Sequence, residues 1–284
     1  MEGRPRWADL AAAGAVGFAV GLLVMSKRRP ATSTTKNSKK ITTSTTPYNR
    51  FDNRPSYTPG QTPPPPTLFF GKHKKIYNPE TLTSCYNLVI SSVTPRPIAL
   101  VSSHNPDTNV DNVAPFSYFG AVAHDPPMLA IGFCRKGGQQ KDSLVNILRQ
   151  KQCCVNIMSE WYLDAANHSC GMFPPDVDEF DMAGLTKVYD CQVVQTVPRV
   201  GQAAVSFECV LEHVHPVTKS SDAATTEIVL VKVVRIHVDE SVLVPNNNDD
   251  KPAVDTTKLR PIGRLGGNIY TSLGDLVDIP RPKV

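Results

Sequence analysis

The signatures that would name a chemistry at once are missing from these 284 residues. No CxxC pair occurs, so the usual ligand spacing of a structural zinc site is not available. The GxxxxGK[ST] spacing fails and no GxGxxG follows a strand-like run, which excludes a P-loop and removes the dinucleotide fingerprint. GxSxG and HExxH are absent as well, leaving hydrolase readings without a motif. Cysteine is sparse and odd in number, seven residues scattered mostly through apolar runs such as Gln152-Cys153-Cys154-Val155-Asn156-Ile157-Met158. That pattern describes reduced, buried thiols in a cytosol-like compartment, not a disulfide framework. Strand alternation would put Cys209, His213 and His215 on one face, but their spacing matches no structural zinc pattern and no metal is assigned.

What is present describes one sizeable globular domain with additions: 40% hydrophobic residues, 20% charged residues and 25 prolines. The charge is unevenly spread. Residues 1–75 hold thirteen Lys and Arg against three Asp and Glu, and residues 76–284 hold seventeen against twenty-three. The formal net charge of +4 therefore conceals a basic tail joined to an acidic body. An acidic body argues against nucleic acid as a partner, because phosphate backbones need a clustered basic face. The tail is suited to anionic lipid.

Three segments follow in order. Residues 1–29 read as a membrane anchor or targeting segment: residues 10–25 are an uncharged run of sixteen, rich in Ala, Gly and Val, with Trp7 before it and Lys27-Arg28-Arg29 after it. This is a borderline transmembrane helix, with membrane association expected over residues 7–26 and the basic cluster keeping the body on the cytosolic side. A mitochondrial presequence is the rival, disfavoured by Glu2 and Asp9. Residues 30–67 are rich in Thr, Ser, Asn and Pro and end in Pro63-Pro64-Pro65-Pro66, which describes a disordered linker stiffened toward polyproline II. Residues 68–284 form the folded domain, and its texture is mainly β. Strand-like runs stand at 87–90, 98–101, 128–133 and 153–158, followed by two long alternating strands at 203–215 and 227–238. His104-Asn105-Pro106-Asp107-Thr108-Asn109 reads as a hairpin loop. Two short helices are expected, residues 142–150 and about 161–168, with Asp142 or Ser143 capping the first.

Two stretches carry the candidate site. In Asn112-Val113-Ala114-Pro115-Phe116-Ser117-Tyr118-Phe119, Pro115 lacks a backbone N–H and restricts Ala114, so the peptide groups around it cannot all join an uninterrupted ladder. Some are left for a ligand, Ser117 adds a hydroxyl, and the aromatic residues suit packing near a flat ring. Core packing accounts for those aromatics equally well. Gly137-Gly138-Gln139-Gln140-Lys141-Asp142-Ser143 brings glycines, a cation and a hydroxyl to a helix start, where free N–H groups and the dipole favour an anion such as phosphate. A capped helix with a surface lysine is the plain alternative.

Six motifs occur in order: Thr94-Pro95-Arg96-Pro97-Ile98-Ala99, the Asn112 to Phe119 stretch, Asp125-Pro126-Pro127, Lys141-Asp142-Ser143, Glu179-Phe180 with Ala183-Gly184-Leu185, and Arg264-Leu265-Gly266-Gly267-Asn268-Ile269-Tyr270. Together they resemble the flavin reductase-like family of FMN-binding split barrels, which includes flavoprotein oxygenase-like and flavoredoxin-like proteins. The resemblance covers about residues 76–273. It implies a mainly β, Greek-key split barrel with a few short helices, assembled as a homodimer that holds FMN near the subunit interface. Carried onto this chain, it implies flavin contacts from Arg96, Ser102, Asn112, Ala114, Ser117, Lys141, Asp142 and Ser143. Arg264, Gly266 and Tyr270 are expected to close the site from a C-terminal arm long enough to reach a partner subunit.

The reaction implied is hydride transfer from NADH or NADPH to FMN, with electrons passed on to a flavin, a metal complex, oxygen or a protein. Such chemistry resides in the cofactor, so no catalytic acid or base is assigned among the side chains. An FMN-binding electron carrier with poor nicotinamide turnover shares every motif. A membrane-tethered barrel that has lost its flavin is the third reading, opposed by the polar residues Asn112, Ser117 and Lys141.

Overall fold

The computed structural model describes residues 58–61, 75–218, 223–245 and 250–282. The expected anchor in residues 1–29, and all of the expected linker in 30–67 except residues 58–61, lie outside them. Among the described residues no helix is long and apolar enough to cross a membrane.

The chain enters through helix α1 (Tyr86–Ser92) and a short strand β1 (Arg96–Pro97), then forms β2 (Ala99–Asn105), β3 (Val110–Phe116), β4 (Phe119–His124) and β5 (Pro127–Cys134). Helix α2 (Asp142–Gln150) and β6 (Gln152–Ile157) come next, then α3 (Leu163–His168) and α4 (Glu179–Ala183). Two short strands, β7 (Lys187–Val188) and β8 (Arg199–Val200), precede the long pair β9 (Val205–Thr218) and β10 (Ala224–Val238). Helix α5 (Thr256–Leu259) leads to β11 (Gly263–Arg264) and β12 (Tyr270–Thr271).

Seven strands make one sheet in the order β3-β2-β6-β9-β10-β5-β4, every neighbour antiparallel. Its two edge strands, β3 and β4, are consecutive and separated only by Ser117 and Tyr118, so the sheet has curled until its edges meet at that corner. Phe116 of β3 lies 4.4 Å from Phe133 of β5 between ring centroids, across the closure. The Tyr118 carbonyl accepts from Gly132 N–H at 2.7 Å. A Cβ on residue 132 would stand 2.9 Å from that of Tyr118, so this approach requires glycine.

Alternation explains the barrel interior. Leu129, Ile131 and Phe133 of β5, Val229, Val231 and Val233 of β10, and Val101 of β2 point into one core, plugged by Leu144 and Ile147 of α2. Strand β2 is buried on both faces, because Leu100 enters a second core with Val113, Met158 and Phe180 beneath α3 and α4.

Three expectations are corrected. Residues 87–90 are not a strand but lie in α1: a four-residue run with three apolar members has no period long enough to separate the two, and only Ile90 of this helix is buried. The helical inventory exceeds the expected pair, since α1, α4 and α5 also form, all too short to show a periodic face. Finally, Cys209, His213 and His215 do not share a face. A bulge in the β9/β10 ladder pairs Leu230 with His213 but Val231 with Leu211, so Glu212 is an extra residue that inverts the alternation. Cys209 is buried while both histidines are exposed. The expected hairpin is present but its loop is shorter: β2 and β3 pair from Ala99/Phe116 to Asn105/Val110, which takes His104 and Asn105 into the strand and leaves residues 106–109 as the turn with Asn109 at φ 57°.

Candidate functional site

Two cavities adjoin where β3 leaves the sheet. One, about 280 Å³, is walled by Tyr86, Phe116, Tyr118, Arg96, Arg264 and Tyr270, and is referred to below as the aromatic chamber. The other, about 340 Å³, is walled by Asn112, Lys136, Lys141, Asp142, Ser143 and Glu179, and is the polar chamber. Pro115, Phe116, Lys141 and Cys170 line both, which makes them one cleft with two ends. β3 pairs only with β2, so its other edge is open to this cleft, and Pro115 is tolerated there because an edge strand need not donate on both sides.

The aromatic chamber is built around a buried arginine. Arg96 donates through Nη1 to the carbonyls of Ile90 and Val93 (2.7 Å for the latter), and through Nη2 to Leu265 O at 2.9 Å. Its Nε reaches Ser117 Oγ at 3.5 Å. One guanidinium thus caps the C-terminal carbonyls of α1, where a cation is favoured, and grips the C-terminal arm. The arm docks on its own chain: β11 pairs with β1 through Arg96/Arg264, and β12 pairs with β11. The Arg264 guanidinium lies 4.3 Å from the Tyr270 ring centroid, and Tyr270 donates to Asn167 Oδ1 at 2.7 Å. Burial raises the pKa of Tyr118 and Tyr270, so both present neutral O–H groups.

In the polar chamber Asn112 is the hub. Its Oδ1 accepts from Ser143 Oγ and from Ser103 Oγ (3.3 Å), and its Nδ2 donates to Glu179 Oε1 at 2.9 Å. Asn146 of α2 donates to Ser103 Oγ at 3.2 Å, tying helix to strand. Ser143 does not cap α2 as expected, because its hydroxyl is committed to Asn112. The N-cap residue is Lys141, extended, and no side chain caps the first turn. Lys141 has no ion-pair partner among the described residues, and its side chain borders both chambers. The loop before it turns on Gly137 and Gly138, at φ 59° and 81°. Buried Glu227 holds that loop by accepting from Arg135 Nε (2.7 Å) and Gln140 Nε2 (3.2 Å), and Arg135 in turn donates to Gly138 O at 3.2 Å.

Glu179 is the unusual member. It is buried, and its Oε2 has no hydrogen-bond partner. Burial raises its pKa to about 7, opposed by the N–H groups of Glu179 and Val113 and the Asn112 amide, with the Asp142 charge adding to the rise.

Of the sequence candidates, Arg96, Ser117 and Lys141 line the aromatic chamber, and Asn112, Ala114, Lys141, Asp142 and Ser143 line the polar one. Ser102 joins neither: its hydroxyl donates to Pro198 O at 2.6 Å on the far face of β2, and Ser103 points toward Asn112 instead. Arg264 and Tyr270 close the aromatic chamber, while Gly266 packs against Ser91 and Gly267 takes the wall position. Tyr86, Cys134, Cys170 and Phe173 were not legible as site residues, since they come from a misread helix, a strand end and an aperiodic loop.

Residues 91–254 match the model of the flavin reductase like domain. The chain belongs to the flavin reductase-like family. The uncharacterised protein YwrF of Bacillus subtilis is 33% identical over 197 residues, 69% of this chain and 93% of the relative. Among solved structures, nitrilotriacetate monooxygenase component B from Bacillus cereus is 32% identical at TM-score 0.68, covering 74% of this chain and all of that one. The 2-nitrobenzoate 2-nitroreductase NbaA of Pseudomonas fluorescens is 28% identical at TM-score 0.63, covering 73% and 96%. A split barrel domain from Shewanella frigidimarina, 16% identical at TM-score 0.61 over 75% of this chain and all of that one, shares the fold. The curled seven-stranded sheet is thus the split barrel of a flavin reductase-like protein, and the cleft lies where its two edge strands meet.

Proposed function

We propose that this flavin reductase-like protein binds FMN in the two-ended cleft and works as an NAD(P)H-dependent oxidoreductase, passing electrons to a flavin, a metal complex, oxygen or a protein acceptor. The observation that carries the reading is the pairing of an aromatic chamber with a polar chamber at an uncapped helix start, joined along the open edge of β3. The donor set fits the group. Tyr86, Phe116 and Tyr118 offer ring faces and edges to a flat heterocycle, Asn112 and Ser117 offer neutral polar contacts, and Lys141 with the first turn of α2 offers cationic and N–H donors to a phosphate. Glu179 adds a buried carboxyl oxygen without a protein partner to the polar chamber. Family relatives that include a monooxygenase component and a nitroreductase support oxidoreductase chemistry.

Bound FMN supplies a ring that accepts and releases hydride, which no side chain of the protein can do. The chain's part is positional. Arg96 fixes α1 and the C-terminal arm as the walls of the aromatic chamber, and holds Ser117 toward it. Asn112, oriented by Ser103, Ser143 and Glu179, presents a fixed amide rather than a rotating one. The domain works as a homodimer in this reading, supported by Tyr86, Leu88 and Val89 of α1 and Val122 of edge strand β4, which are all exposed. Anchoring through residues 7–26 with the domain on the cytosolic side rests on the sequence pattern alone.

A visible spectrum of the full chain with FMN, recorded anaerobically before and after NADPH, tests the function. Binding shifts and structures the flavin bands, and NADPH bleaches them. A flavin that binds but stays oxidised with either nicotinamide nucleotide removes the reductase reading and leaves an electron carrier. Lys141→Ala tests the phosphate end: FMN affinity is expected to fall about ten- to a hundredfold, since a charge-assisted contact is worth about 1.5 to 3 kcal/mol, while riboflavin is nearly unaffected. Equal losses for both flavins, measured by fluorescence titration, would remove Lys141 from the phosphate site.

A further inference from the structure

The charges around the polar chamber balance in an uncommon way. Its wall contains two lysines, Lys136 and Lys141, and two carboxyls, Asp142 and Glu179. With both carboxyls ionised the chamber is electrically neutral, a poor match for a phosphate that carries about −1.5 to −2 at neutral pH. Protonating one carboxyl makes the chamber cationic.

The two carboxyls are not equivalent. Asp142 opens α2 and is only partly buried. Glu179 is 5% exposed, spends one oxygen on Asn112 and leaves the other unpartnered. A buried carboxylate with an unsatisfied oxygen is costly, and neutralising it is the cheapest relief. We infer that Glu179 takes up a proton when the polar chamber receives a phosphate-bearing ligand, so that FMN binding is coupled to proton uptake and weakens with rising pH. The inference rests on the reading that this chamber holds the flavin phosphate.

The surrounding groups leave Glu179 as the responsive one. On β3, Asp111 is engaged by His104 and Lys187. At the start of its own helix Asp178 pairs with the same Lys187. Asp181 lies exposed in the same turn, the His168 ring of α3 meets that of Phe173 at a tilt, and Lys141 and Asp142 at the start of α2 line the same chamber. Of these charges, Asp142 raises the proton affinity of Glu179, adding to burial, which puts its pKa at about 7. An incoming phosphate adds negative charge and raises it further. Above neutral pH the free protein must therefore gain a proton to bind FMN, and affinity declines by up to about tenfold per pH unit.

The test is fluorescence titration of the full chain and its Glu179→Gln variant with FMN and with riboflavin, at about pH 6 and about pH 8.5. Dividing wild-type by variant dissociation constants cancels the ionisation of the FMN phosphate itself. For FMN this ratio is expected to rise about tenfold or more from the lower to the higher pH, and for riboflavin to stay flat. Calorimetry of the wild-type protein at alkaline pH, in two buffers of different ionisation heat, is expected to find about one proton taken up with FMN and none with riboflavin. This second measurement stands if the variant fails to fold. Parallel FMN profiles in the two proteins, or no proton uptake, would overturn the coupling while leaving the flavin site intact. Failure of either flavin to bind at any pH overturns the site and the coupling together.

Discussion

Arg96→Ala is expected to destabilise the domain by about 3 to 5 kcal/mol and to release the C-terminal arm, because hydrogen bonds from a charged donor are worth about 1.5 to 3 kcal/mol each and are not additive. The guanidinium is 6% exposed and holds three carbonyls that belong to two separate parts of the chain, the end of α1 and Leu265 of the arm. Losing it leaves those carbonyls without their donor and detaches two walls of the aromatic chamber at once. Arg96→Lys should recover little, since a single ammonium cannot span carbonyls that a planar fork reaches together. Urea unfolding gives the stability, and limited proteolysis between residues 259 and 273 reports the arm. An alanine variant with an unfolding free energy within about 1 kcal/mol of wild type, and an arm no more easily cut, would show that Arg96 is an ordinary wall residue.

The second large effect lies away from the cleft. Glu208 of β9 is fully buried, and its two oxygens accept from the backbone N–H groups of Gln192 (2.9 Å), Val193 (2.7 Å) and Val194 (3.0 Å) and from His237 Nε2 at 2.7 Å. It therefore organises the loop between β7 and β8 against the barrel. Glu208→Ala should cost about 3 to 5 kcal/mol, the range seen when one partner of a buried charged network is deleted. Burial opposes ionisation of Glu208, but the Gln192 N–H, the His237 ring and the N–H groups of Val194 and Val193 outweigh it and lower the pKa. A carboxyl whose folded pKa is depressed contributes stability above its unfolded value, about 4.3, and loses it as pH falls through the folded value. Wild-type unfolding free energy should thus decline on acidification below about pH 4.3, with Glu208→Gln showing a shallower decline. Superimposable pH dependences for the two proteins would mean that folding leaves the proton affinity of Glu208 unchanged, and would overturn its role as an anchored carboxylate.

Much of the fold was readable because its pieces have clear periods. Helix α2 begins and ends where its apolar face and turn residues put it, at Asp142–Gln150. The mostly exposed, Gly- and Ala-containing β4 (Phe119–His124) shows no clear period and is not among the expected strands, whereas five strands of the curled sheet, β2, β5, β6, β9 and β10, follow alternation or continuous apolar runs. Residues 87–90 failed for the opposite reason. Asn87 and the three apolar residues after it carry no decisive period, and the helix they belong to is closed from a distance, by an Arg96 guanidinium that takes the Ile90 and Val93 carbonyls.

The site divides along the same line. Sequence alone determined which residue types are available near the cleft: a proline-interrupted strand with a hydroxyl and aromatic residues, a lysine at a helix start, and an arginine and tyrosine far along the chain. The order of those motifs was enough to reach the flavin reductase-like family. Tertiary structure alone decided which of two adjacent serines turns inward. Both faces of β2 are buried, so burial pattern cannot separate Ser102 from Ser103, and only the pairing of Ser103 with Asn112 across the ladder does. It also decided that the C-terminal arm returns to its own barrel, and that Glu179 is sealed beneath Asn112 with one oxygen unsatisfied. Those outcomes depend on groups distant in sequence meeting in a low-dielectric interior, where the energy of a charge or a hydrogen bond is set by its neighbours and not by the residue that carries it.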